Sequence, residues 1–126
     1  MANAINWFEI PVNDLDRAKD FYEKALGVSL TINEMGPLRM AWFPSEQNAP
    51  GATGTLIKAE AYTPSHSGTL VYFSVDDIDK TLEKIDSIGG KTLNPKMSIG
   101  EFGFVAHFSF TDTQIIYLSC TNSLIR

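Results

Sequence analysis

Residues Val12-Asn13-Asp14-Leu15-Asp16 return as Val75-Asp76-Asp77-Ile78-Asp79, 63 positions later in a chain of 126. A repeat of half the chain restricts the fold to two copies of one supersecondary unit. At the same offset Gly27 aligns with Gly90 and Ile5 with Gly68, so the pattern recurs beyond the Asp-rich segment. The repeat modules run from about 1 to 63 and from about 64 to 126. A half of this size would bury too little apolar surface to be stable alone, and no Gly/Ser/Pro-rich linker separates the two. The expectation is one domain, 1–126, whose halves share a core.

Each half carries one amphipathic helix. After Asp14, Leu15, Ala18, Phe21, Tyr22, Ala25 and Leu26 fall on a single helical face. Asn13 or Asp14 supplies an N-cap, Asp16 suits the positive end of the dipole, and Gly27 suits a left-handed stop. In the second half Asp76 or Asp77 caps a helix whose face is Ile78, Thr81, Leu82, Ile85 and Ile88, and Gly89-Gly90 ends it. The rest is rich in β-branched and aromatic residues. Strands are expected over Asn6–Val12, Leu38–Phe43, Thr53–Ala61, Thr69–Val75, Phe102–Phe110 and Gln114–Cys120, with others starting near Val28–Ile32 and Lys91–Leu93. Both halves therefore read β-α-β-β-β. The fold class is α+β: two βαβββ modules forming a curved mixed sheet, helices outside and a cavity inside.

Charge and composition exclude several classes of function. Ten Lys and Arg against fifteen Asp and Glu give a net charge of −5, which disfavours nucleic acid as a partner. No apolar run has membrane-spanning length. The start, MANAINWFEIPV, lacks the basic and apolar regions of a secretory signal, and a cytoplasmic location is expected. Cys120 is the sole cysteine, which precludes an intrachain disulfide and a multi-cysteine zinc site.

The segments Ile5–Leu15 (INWFEIPVNDL), Phe21-Tyr22 and Leu26-Gly27 resemble the vicinal oxygen chelate (VOC) superfamily of glyoxalase I, bleomycin-resistance proteins and extradiol dioxygenases. So do Gly68–Ile78 (GTLVYFSVDDI), Gly89-Gly90-Lys91, Ile99-Gly100-Glu101, Gly103-Phe104 and Phe108–Leu118. The resemblance implies the glyoxalase fold and, because such proteins often dimerise, a homodimer. In metal-dependent members a ligand, usually His, stands seven residues before the Asp of the Val-x-Asp-Leu pattern. That place is Trp7 here, and Leu70 in the second half. A Glu of the last strand is replaced by Tyr117, and the remaining ligand would lie at about Leu56–Lys58. Divalent ions need several converging N or O donors. Trp, Leu and an aliphatic residue offer none, and Tyr only as phenolate, so neither a metal ligand set nor a cofactor is expected.

Period-two alternation puts Trp7, Glu9 and Pro11 on one strand face and Leu70, Tyr72 and Ser74 on its repeat. With Tyr117 on the last strand, these would line the cavity, joined by Trp42. Arg39, Lys58 and His107 are candidate partners for Glu9, with His107 on a strand and His66 in a turn. Glu9 suits a general base or a counter-ion for a cationic ligand. The ligand-binding set is Trp7, Glu9, Trp42, Leu70, Tyr72, His107 and Tyr117, with Glu9 the candidate catalytic group. Two functions follow. The first is a metal-independent small-molecule binder of the glyoxalase/bleomycin-resistance type. The alternative is a glyoxalase-like lyase or isomerase with a displaced or absent metal site.

Overall fold

The computed structural model describes residues 4–60, 62–64, 71–110 and 116–120. The order is β1 (Trp7–Pro11), α1 (Leu15–Leu26), β2 (Thr31–Met35), β3 (Leu38–Trp42), β4 (Thr53–Lys58), β5 (Tyr72–Ser74), α2 (Ile78–Ser87), β6 (Lys91–Ser98), a short 3-10 turn (Gly100–Phe102), β7 (Phe104–Ser109) and β8 (Ile116–Cys120). Each half is thus βαβββ, as expected. The strands form two four-stranded mixed sheets, β1-β4-β3-β2 and β5-β8-β7-β6, with no closed barrel. In each, the opening strand pairs in parallel with the last strand of its own half, and the other pairings are antiparallel.

The repeat is visible in the caps. Asp14 and Asp77 are both extended N-caps, each accepting a hydrogen bond from the backbone N–H three residues on. At the C-termini the alignment changes. Gly27 takes the left-handed position after α1, with φ 67°. Its counterpart after α2 is Gly89, with φ 103°, rather than Gly90. The last turn of α2 is tightened by an Ile88 N–H bond to the Ile85 carbonyl, and the positive-φ glycine comes one residue sooner than the 63-residue offset predicts. Both ends carry a 6→1 closing bond, Val28 N–H donating to Glu23 O and Gly90 N–H to Ile85 O. Gly90 has a different duty. A Cβ there would sit 2.5 Å from the Ile85 side chain and 3.0 Å from the Phe21 ring.

A second internal echo was not legible beforehand. Glu23, near the end of α1, accepts the Leu30 backbone N–H at 2.8 Å. Asp86, its equivalent in α2, accepts the Thr92 backbone N–H at 3.0 Å. In both halves a helix carboxylate therefore secures the chain where it enters the next strand.

The helices pack against each other and against one face of the sheets. The core runs through both halves, from Ile10, Val12, Leu15 and Ala18 to Ile78, Ile85, Ala106 and Phe108. Phe21 joins them, stacking on Phe110 with centroids 3.9 Å apart. Strand facing follows from this burial. On β1, Phe8, Ile10 and Val12 turn toward the core and leave Trp7, Glu9 and Pro11 on the other face. The expected strands at Val28–Ile32 and Thr69–Val75 are found at Thr31–Met35 and Tyr72–Ser74, with residues 69 and 70 outside those described. No helix among the described residues is long and apolar enough to cross a membrane.

Candidate functional site

Where β1 and β5 approach one another, four aromatic rings close the seam. Phe8, Phe43 and Phe73 lie within 5.8 Å of one another, centroid to centroid, and Tyr22 packs on Phe43 and Phe73. Above this floor opens a cleft of about 1440 Å³. Its walls are the exposed face of β1, the chain after α1, the β3–β4 loop and β5. Trp7, Glu9 and Tyr72, all expected from alternation, line it.

Trp7 is held in place by Trp42, edge to face at a centroid distance of 5.4 Å. Register explains this contact. Glu9 lies opposite Thr55, and Thr55 opposite Trp42, so the three share one sheet face. Thr55 is fully buried and satisfies its hydroxyl on backbone carbonyls, at 2.7 Å from Leu56 O and 3.0 Å from Ala41 O. It therefore acts as a fixed spacer between Glu9 and Trp42. Trp42 reaches the cleft through Trp7 and is not itself a lining residue.

Other sequence-based candidates are placed elsewhere. Arg39 is on the opposite face of β3, where it meets Glu34 at 3.5 Å and Asp16 at 3.9 Å. Lys58 pairs with Arg39 and shares that face. Neither lies beside Glu9. His107 is on β7, in register with Tyr117, which is in turn in register with Tyr72. The Asn94 side-chain N–H donates to His107 Nδ1 at 2.7 Å, which places the ring proton on Nε2. Asn94 is flanked by two register irregularities in β6, which aim it at the ring. Burial pushes the His107 pKa below the ordinary histidine value and so favours the neutral ring. His107 is not among the described lining residues of the cleft. Leu70 and His66 lie outside the described residues, and Tyr117 is placed by its strand register.

The positions where the resemblance puts metal ligands carry poor donors. The Trp7 indole N–H only donates. Of Leu56, Ile57 and Lys58, alternation puts Ile57 on the face of Trp7 and Glu9, and it is fully buried. Among the described residues no three His, Cys, Asp or Glu side chains gather as a metal site would need.

The β3–β4 loop supplies lining that the sequence pattern did not reveal. Pro44, Ser45, Glu46 and Ala49–Thr53 all border the cleft. The Thr53 hydroxyl donates to the Pro44 carbonyl at 2.8 Å and ties the loop's two ends. A turn is closed by Ala49 N–H on Glu46 O, with Asn48 left-handed at φ 68°. Its composition signals a turn, but nothing local says that the turn borders a cavity. The cleft's lining holds two carboxylates, Glu9 and Glu46, and among the described residues no Lys, Arg or His.

The model of the Glyoxalase/Bleomycin resistance protein/Dioxygenase superfamily matches residues 4–114. A "Glyoxylase-like domain-containing protein" of Didymella fabae is 30% identical over 99 residues, covering 76% of each chain. Among solved structures, a mutant of glyoxalase I from Zea mays superposes with a TM-score of 0.71 at 24% identity, over 91% of this chain. This chain spans only 46% of that enzyme. An antibiotic binding protein from a Streptomyces species gives a TM-score of 0.67 at 24% identity, over 96% of this chain and 98% of its own. The helix caps, the paired βαβββ halves and the match over nearly the full length agree, and the chain belongs to the Glyoxalase/Bleomycin resistance protein/Dioxygenase superfamily.

Proposed function

We propose that this protein is a small-molecule binder that works without a metal, holding its ligand in the cleft against Trp7 and Tyr72. The observation that carries this reading is the Trp7–Trp42 pair beside Glu9, on strand positions that place an aromatic wall where metal-dependent relatives place a ligand. A tryptophan braced edge-on by a second one presents a rigid face at little entropic cost, which suits a flat aromatic ligand. Among the described residues at that place, Trp7 and Ile57 offer a divalent ion no donor. The likeness to an antibiotic binding protein over almost its whole length supports a binding role.

Glu9 serves here as a counter-ion. Acid–base chemistry needs an electrophilic partner to stabilise developing charge, and Arg39 and Lys58 are on the far face. That placement disfavours the lyase or isomerase alternative. A homodimer belongs to the same reading. The outer strands β2 and β6 leave Ile32, Met35, Leu93 and Met97 substantially exposed, and light scattering at twice the chain mass would bear it out.

Calorimetry with flat aromatic compounds, before and after chelator treatment, tests the function. Binding is expected to survive chelation, and Trp7→Ala to weaken it about 2- to 10-fold, the worth of one aromatic contact. Stoichiometric metal in the purified protein, or binding abolished by chelator, would overturn the proposal.

A further inference from the structure

The chain that leaves α1 after Leu26 runs to Thr31 before it enters a sheet, so no strand ladder holds it. One residue does. The Gly27 and Val28 N–H groups donate to the Glu23 carbonyl at 2.9 and 3.3 Å, and the Leu30 N–H donates to the Glu23 carboxylate at 2.8 Å. Lys19, one turn earlier on α1, donates to the same carboxylate oxygen at 3.1 Å and fixes its direction. Burial along this crossing alternates: Leu26, Val28 and Leu30 turn inward, while Gly27 and Ser29 are exposed. Leu26 and Val28 pack on the core and border the cleft.

The second half repeats the hold in different surroundings. Asp86 stands 63 residues after Glu23 and accepts the Thr92 N–H at 3.0 Å and the Thr92 hydroxyl at 3.1 Å. Residues 88–92, which it secures, are not among the lining of the cleft.

We propose that Glu23 is a positioning residue of the cleft: its carboxylate, acting through the Leu30 N–H, sets the Leu26–Val28 wall against which a ligand lies. This deepens the binding reading above and rests on it. The bonds to the Glu23 carbonyl survive any substitution at that position, so a variant isolates the share of the carboxylate. Without it the Leu30 N–H is released, and the wall samples arrangements that do not fit a ligand. Affinity then falls by the fraction of molecules that still fit. The net worth of one such hydrogen bond corresponds to a change of about 2- to 10-fold.

Calorimetry with 2-naphthol, a flat probe uncharged near neutral pH, tests this beside amide hydrogen exchange read by NMR. Glu23→Ala should speed exchange at Leu30 and weaken 2-naphthol about 2- to 10-fold. Glu23→Gln keeps an acceptor oxygen with the same reach, and should bind within about twofold of wild type. Asp86→Ala supplies the control from within the repeat. It should speed exchange at Thr92 and lower stability, yet leave 2-naphthol binding unchanged. Equal weakening by Asp86→Ala would reduce the effect to general destabilisation and overturn the proposal. Unchanged Leu30 exchange in Glu23→Ala would overturn it too, as would wild-type affinity once the Leu30 N–H is released. A wild-type protein that binds no 2-naphthol is a different failure: it removes the binding reading, and this inference with it.

Discussion

Phe21→Ala offers a direct test that the two halves fold as one unit. Phe21 belongs to the first half and is 2% exposed. It stacks on Phe110 at 3.9 Å and lies 6.0 Å from Phe108, both in the second half. Truncating a buried phenylalanine to alanine costs about 3–5 kcal/mol, the lost transfer energy plus the cavity left behind. A domain of this length has a total stability of roughly 6–15 kcal/mol. Its unfolding entropy, at about 2.1 cal/mol/K per residue, is near 0.26 kcal/mol/K. A loss of 4 kcal/mol thus lowers Tm by about 15 °C. Urea and thermal unfolding followed by circular dichroism should show that shift in a single transition. Gly90→Ala adds a second leg, because its Cβ would press on the Phe21 ring at 3.0 Å. Alone it should destabilise by about 1–3 kcal/mol, as overpacking does. Combined with Phe21→Ala it should cost less, with a coupling above about 0.5 kcal/mol. A loss below about 1.5 kcal/mol for Phe21→Ala, or two separate melting steps, would refute the shared core.

Three further outcomes follow from the structure. The Leu30 N–H and then Lys19 hold the Glu23 carboxyl below its ordinary pKa. Its stabilisation should therefore be present above the unfolded glutamate value and fade as pH falls through the folded one, in the range below about 4.3. The unfolding free energy of Glu23→Ala from urea melts should lie about 1 kcal/mol below wild type near pH 7, with the gap closing in acid. His107 has the opposite charge sense. Burial lowers its pKa, so the unfolded chain takes up the proton first, and stability should drop as pH falls from about 6.5 toward the folded value. NMR titration of the ring should give a midpoint below that of a free histidine, and an ordinary midpoint would contradict the burial argument. Asp14→Ala and Asp77→Ala each remove one N-cap bond and should each cost about 1 kcal/mol, nearly additively, as read from denaturant midpoints.

Much of this architecture was already written in local chemistry. A helix cap needs only a short acceptor just before an apolar-periodic run, so the caps were narrowed to Asn13 or Asp14 and to Asp76 or Asp77 without any long-range knowledge, and the structure selects Asp14 and Asp77. Alternation along β1 likewise placed Trp7 and Glu9 on one face. Where a feature depends on two distant segments, the linear pattern could not supply it. Residue counting aligned Gly27 with Gly90, but the tightened last turn of α2 moved the left-handed role to Gly89 and left Gly90 making room for Phe21.

The site divides in the same way. Spacing and alternation alone determined that the chain holds two βαβββ units and that Trp7 and Glu9 share one strand face. Only the tertiary structure decided that Arg39 turns to Asp16 and Glu34, that Trp42 braces Trp7 by way of the Thr55 register, and that the Glu46 turn borders the cleft. The physical reason is range. Caps and strand faces are set by neighbours a few residues away, whereas the walls of a cleft are chosen by strand pairing and loop placement between residues more than thirty positions apart.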